Sequence, residues 1–129
     1  MRTLILSWEY PPRIVGGLGR HVHRLAMGMA EAGHDVHVVT RDHPDAPPEE
    51  TVDGVHIVRA GEYPPMIGFD NLVPWVLQFN IAVQEAATNL LLQHEVDVVH
   101  AHDWLVAYAA AALKNCFDLP LVSTVHATE

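Results

Sequence analysis

The feature that most constrains this chain is an alternation of two periodicities. Short β-branched apolar runs fall at residues 4–8, 34–40, 55–60, 96–100 and 121–125, and each reads as a buried strand. Between them lie segments whose apolar residues recur every three or four positions, at 18–32, 75–94 and 104–117. In the first of these Leu18, Val22, Leu25, Met29 and Ala32 trace one stripe, and Gly33 supplies the stop. In the second the stripe is Trp75, Phe79, Val83, Ala86, Leu90 and Leu91. The third is Ala-rich and carries Cys116, read as a packing residue. Strands joined through helices run parallel, with helices on both faces of the sheet. Right-handed crossovers then favour an α/β, Rossmann-like sheet with the strands, numbered along the chain, in the order 3-2-1-4-5. The stretch 42–53 is polar, with three prolines, and reads as a surface loop. Asp53-Gly54 is a hairpin-type pair, but the long separation from the second strand argues against a plain hairpin. Residues 61–74 form a second Pro-rich loop.

Composition narrows the function classes. The 129 residues suffice for one domain, 1–129, and their 50% apolar content is that of a folded chain. Seven basic against 16 acidic residues give a net charge of −9, which argues against nucleic acid and anionic membrane as partners. No apolar run reaches the ~18 residues of a spanning helix, and residues 1–8 read as a strand rather than a signal peptide. The single cysteine excludes an intramolecular disulfide. A cytoplasmic protein is expected.

In the order 3-2-1-4-5 the crevice beyond the carboxyl ends of strands one and four is the expected ligand site. Two segments flank it, residues 9–19 and the turn His100-Ala101-His102-Asp103. In the first, Gly16-Gly17-Leu18-Gly19 precedes a helix, so small residues and a helix N-terminus offer backbone N–H groups to an anion. Arg13, Arg20 and Arg24 concentrate basic charge there, consistent with a phosphate or diphosphate. The competing reading is a tight turn, a close-packed helix start and solvated arginines. A dinucleotide site is the alternative: Gly17-Leu18-Gly19 followed by Val22 is a damaged G-x-G-x-x-G, and Asp42 stands near the end of strand two. Against it, seven residues separate Glu9 from Gly17 where the fingerprint follows its strand directly.

Ten histidines raise the question of a metal. His21 and His23, two apart on a helix, do not share a face. His100 and His102, two apart on a strand, do, yet no Cys pair or HExxH completes a zinc set, so no metal is expected. His34, His37, His43, His56 and His94 read as surface or strand-edge residues. His102 stands at the crevice and can hydrogen-bond a polar ligand or simply a backbone partner. Asp103 can cap the following helix. His126 after strand five and Glu9 after strand one carry the same choice between ligand and local role.

Taken together, Trp8-Glu9-Tyr10-Pro11-Pro12, Gly16-Gly17-Leu18-Gly19, Ala32-Gly33-His34-Asp35-Val36, Val98-Val99-His100-Ala101-His102-Asp103-Trp104 and Thr124-Val125-His126-Ala127-Thr128 resemble the N-terminal domain of GT-B-fold retaining glycosyltransferases, the glycogen/starch synthase-like families. The resemblance implies transfer of a sugar from a nucleotide-sugar donor, UDP-, ADP- or GDP-linked, to a hydroxyl acceptor, without a bound metal or other cofactor. It implies donor diphosphate or sugar contacts for Gly16 and Gly17, with Arg13 and Arg20 beside them. His102 matches the histidine that touches the donor sugar near the reacting carbon. Asp103 supports that turn or contacts acceptor, His126 lines the acceptor side and Glu9 the crevice. Such enzymes place most nucleotide contacts and an E-x7-E pair of glutamates in a second domain, and no such segment occurs here. The chain therefore reads as a truncated N-terminal piece, inactive alone, with residues 121–125 exposed as an edge able to pair two copies into a homodimer.

Overall fold

A computed structural model describes residues 1–61 and 70–126. The elements run β1 (Arg2–Leu6), α1 (Gly17–Glu31), β2 (Asp35–Arg41), β3 (Glu49–Val52), β4 (Val55–Ala60), α2 (Leu72–Leu91), β5 (Val98–His102), a 3-10 turn (Trp104–Val106), α3 (Ala107–Phe117) and β6 (Leu121–Thr124). They build a six-stranded sheet in the order β3-β4-β2-β1-β5-β6. Its five parallel strands, β4-β2-β1-β5-β6, follow the expected 3-2-1-4-5 order.

Side-chain alternation splits the core into two layers. Ile5, Val36, Val38, Val55 and Ile57 pack with Leu18, Val22 and Ala26 of α1. Leu4, Leu6, Val39, Val99 and Ala101 face the other way, against α2 and α3. Every β1 residue from Thr3 to Leu6 is buried, as a central parallel strand requires. Asn80, 1% exposed, ties the second layer together. Its Nδ2 donates to the carbonyls of Val76 (2.7 Å) and Leu105 (2.8 Å), and its Oδ1 accepts from the Ala109 N–H (2.8 Å). Among the described residues no helix is long and apolar enough to cross a membrane.

Several expectations are corrected. The polar loop 42–53 contains β3, paired antiparallel with β4, and Asp53-Gly54 is the two-residue turn of a true hairpin. Both turn residues have positive φ (52° and 80°), as a type I′ turn requires. The hairpin is held by Arg59, 5% exposed. Its guanidinium donates to Glu50 Oε2 (2.6 Å) and to the carbonyls of Pro47 (2.9 Å) and Pro11 (3.0 Å). The helix expected from Trp75 starts at Leu72 and takes Pro74 into its first turn, where no N–H is needed. The expected helix 104–117 is broken into a 3-10 turn and α3. Most of the loop read at 61–74 lies outside the described residues. Cys116 is exposed rather than packed, and His37 is 4% exposed rather than a surface residue.

Candidate functional site

The carboxyl ends of β1 and β5, paired in register from Thr3↔Val98 to Leu6↔Ala101, bring the two flanking segments together. Beyond β1 the chain turns through Ser7, whose Oγ donates to the Glu9 carbonyl (2.7 Å). Glu9 is 4% exposed, and its Oε1 accepts from the N–H groups of Val15 (2.7 Å) and Gly16 (3.1 Å). Glu9 is thus the internal anion that closes the glycine loop. The Gly16 amide is already bonded to it. A Cβ on Gly19 would stand 3.1 Å from Glu9 Oε1 and 3.2 Å from Glu9 Cβ, so close packing explains that glycine. A Cβ on Gly16 or Gly17 would meet nothing within 4 Å. Among the described residues no neighbour demands glycine there, and both residues are exposed at the start of α1. Arg13 donates to the Asp42 carbonyl (2.7 Å), bracing the loop against the end of β2. Arg20 is exposed on the first turns of α1.

β5 runs two residues further than expected, so His102 is its last residue, fully buried. Three other imidazoles gather around it. The His100 ring lies 4.1 Å away on the same strand face, and His100 Nε2 pairs with Thr124 Oγ1 at 2.7 Å. His102 Nδ1 pairs with His126 Nε2 at 3.1 Å. The His21 ring centroid is 5.7 Å from that of His102 and 5.2 Å from that of His126. His102 Nε2 is buried without a hydrogen-bond partner among the described residues. Burial first, then the neighbouring His100, His126 and His21, push its pKa down to about 3. Burial lowers that of His100 as well, with His21 and His126 adding to it. Nitrogens of His21, His102 and His126 all lie within 4.8 Å of one another, a spacing that would also suit an ion.

Asp103 follows with φ 70° and ψ 177°, a region that favours glycine. Its backbone N–H donates to the Thr124 carbonyl (2.8 Å), which locks the turn to β6. It stands at the N-cap position but makes no side-chain cap hydrogen bond. The residue that sequence reasoning missed is His21. Its two-residue spacing from His23 excluded a shared site with that partner but said nothing about partners across the fold. Its position four residues into the helix that opens at the crevice was the available signal.

The family described as Glycosyltransferase Family 4 matches residues 15–129. A glycogen synthase of Mycobacterium tuberculosis is 44% identical over all of this chain and 34% of its own length. An uncharacterized glycosyltransferase of Methanocaldococcus jannaschii is 36% identical over all of the chain and 32% of its own length. The chain thus spans about a third of the length of the curated relatives it matches. The fold is that of a sucrose-phosphate synthase from Thermosynechococcus elongatus, with TM-score 0.78 at 22% identity over 97% of this chain and 33% of that one. It is also that of the catalytic domain of starch synthase IV from Arabidopsis thaliana, bound to ADP and acarbose, with TM-score 0.71 at 23% identity over 97% of this chain and 34% of that one. With the match to residues 15–129 and the crevice in place, the chain belongs to Glycosyltransferase Family 4.

Proposed function

We propose that this chain is the N-terminal, acceptor-side part of a retaining, glycogen synthase-like glycosyltransferase that moves a sugar from a nucleotide-sugar donor to a hydroxyl acceptor. The observation that carries the reading is His102: fully buried at the carboxyl end of β5, with an unpartnered Nε2 and exposed His126 and His21 against it. A buried polar atom without a partner calls for one, and a sugar hydroxyl supplies it. A pKa near 3 keeps the ring neutral at pH 7, so His102 hydrogen-bonds and orients the donor sugar rather than shuttling protons. The open faces of Gly16 and Gly17 let a diphosphate or sugar approach the backbone at the start of α1, and Arg20 adds charge. Asp103 holds the turn, and His126 faces the acceptor. In the reaction the bond from the anomeric carbon to the donor phosphate oxygen breaks and a bond to the acceptor oxygen forms. The acceptor proton leaves with the nucleotide diphosphate, so the proposal needs no cofactor and no metal.

Because most donor contacts would come from a second domain, the chain alone is proposed to be inactive. Its place of action in the proposal is the cytoplasm. Val122 and Val125, 50% and 66% exposed on and beside edge strand β6, are the proposed pairing face of a homodimer. A monomeric mass by light scattering at high concentration would remove that part.

The test is an amide- and imidazole-resolved NMR titration with ADP-glucose, UDP-glucose and NAD in turn. A sugar nucleotide that shifts Gly16, Gly17 and His102 while NAD leaves them unmoved is the expected result. A response to NAD alone would establish the dinucleotide module instead. No response to any of the three would remove the half-site from this chain.

A further inference from the structure

A second cluster of imidazoles lies at the opposite end of the sheet from the crevice. Asp35 opens β2, and His37 is two residues on, on the same strand face. His37 is the register partner of His56 on the adjacent parallel strand β4, and His56 is the register partner of Thr51 on β3. Their neighbours Val36, Val38, Val55 and Ile57 point into the α1 layer, so this row faces the side of α2. There the end of α2 and the residues after it, with Leu90, Gln93 and His94, close over a cleft of about 390 Å³ that His37 and His56 line.

The polar atoms converge. His37 Nε2 stands 3.3 Å and His56 Nε2 3.8 Å from the same oxygen, Asp35 Oδ1. The ligating atoms of Asp35, His37 and His56 all lie within 4.8 Å of one another. Bonds of ~2.0 Å at tetrahedral angles put neighbouring ligand atoms ~3.3 Å apart, so one of the three edges is already at that length, the second needs a closure of about 0.5 Å and the third at most about 1.5 Å. The His37 and His56 rings are stacked with centroids 4.8 Å apart, and the His94 ring is 4.9 Å from that of His37.

We propose that Asp35, His37 and His56 bind a divalent transition-metal ion of the zinc class, with His94, whose ring stands beside that of His37, as the candidate for the fourth position. Three further observations support the assignment. His56 Nδ1 and Thr51 Oγ1 are 2.9 Å apart, the outer hydrogen bond that fixes a ligating imidazole so that Nε2 faces the ion. The site lies at the carboxyl end of α2, whose last turn holds no basic residue, so the helix dipole favours a cation there. His37 is 4% exposed, so its ring is already held by packing and loses little freedom on taking up an ion. Imidazole nitrogen with a single carboxylate selects zinc, cobalt or nickel over magnesium or calcium. The site shares no residue with His21, His102 and His126, so it stands apart from the proposed sugar crevice.

The test is titration of the chelator-treated chain with zinc sulfate, following imidazole nitrogen resonances residue by residue. Saturation at one ion per chain at this cluster, with His37 and His56 shifting together, is expected. Thr51→Val should weaken that event ~10–100-fold, the loss typical of an outer-shell partner, and Asp35→Asn or His56→Ala at least as much. The Asp35 and His56 side chains are 43% and 47% exposed, so both variants should retain the fold, with circular dichroism as the check. Zinc that moves only His21, His102 and His126, or affinity unchanged in Asp35→Asn and His56→Ala, would overturn the site. So would a tenfold excess of zinc that leaves His37 and His56 unmoved. None of these results touches the sugar-nucleotide titration, so the two proposals fail independently.

Discussion

Gly19 is where two magnitudes oppose each other, and its substitution tests how firmly Glu9 braces the glycine loop. In an exposed helix interior, Gly→Ala stabilises by about 1 kcal/mol. Gly19 is instead buried on α1, and the added Cβ would lie 3.1 Å from Glu9 Oε1, 3.2 Å from Glu9 Cβ and 3.4 Å from Ile14 Cγ1. A free carboxylate would swing away. This one is held by the Val15 and Gly16 amides, and the Glu9 backbone is held by Ser7, so the crowding must be met by displacing bonded groups. Overpacking of that kind costs ~1–3 kcal/mol, and set against the helix gain it leaves Gly19→Ala destabilised by about 1 kcal/mol. In a Glu9→Gly background both crowding atoms of residue 9 are gone, and the same substitution should stabilise by up to about 1 kcal/mol. The sign therefore reverses, with a coupling of ~2 kcal/mol across the double-mutant cycle. Urea unfolding of the four proteins reads it directly, and exchange of the Val15 and Gly16 amides should accelerate in both Glu9→Gly proteins. Gly19→Ala that stabilises the otherwise unchanged chain would refute the bracing argument.

Three further outcomes are expected. Asn80→Leu strands the Leu105 carbonyl and the Ala109 N–H inside the α2–α3 layer, and should cost about 3 kcal/mol in urea unfolding. Asp103 sits at φ 70°, so Asp103→Gly should be ~1–2 kcal/mol more stable than Asp103→Ala, which lacks the same carboxylate but keeps the strain; equal stabilities would count against strain at this turn. In chelator-treated protein the His102 pKa near 3 lies below the ordinary value of 6.5, so between these values the unfolded chain binds the extra proton. Stability should be fully present above pH 6.5 and fall by roughly 1–2 kcal/mol from pH 7 to 5, a slope that His102→Asn flattens.

The parallel core was legible because its signals are local: Leu4, Ile5 and Leu6 or Val36, Val38 and Val39 are apolar wherever they are read, and crossover handedness does the rest. The crevice followed from that order alone, and so did the placing of His102. β3 was not legible. Pro47, Pro48, Glu49 and Glu50 have poor strand propensity, and what makes the pairing is Arg59, which reaches Glu50 and Pro47 across the hairpin. Glu9 could be placed at the crevice but not assigned its role, because a carboxylate that serves its own loop and one that serves a ligand look alike in sequence. His37 was read as a surface or strand-edge residue, and its burial was not legible, since the register that sets it against His56 and under His94 is a property of three separated segments.

The central position of β1 has a consequence for the order of assembly. Its partner on one side, β2, arrives after a single helix. On the other side its neighbour is β5, and the Arg2–Asp97 contact that brackets that seam joins residues 95 apart. A chain emerging amino end first can close β1, α1, β2 and β4 early and bury Ile5 under α1. The Leu4 and Leu6 face and one whole edge of β1 stay bare until α2, β5 and α3 have been made. Of β1, β2 and β4, β1 is thus made first and completed last, and in the interval its open edge and apolar face are the surface a chaperone, or a second nascent chain, would meet.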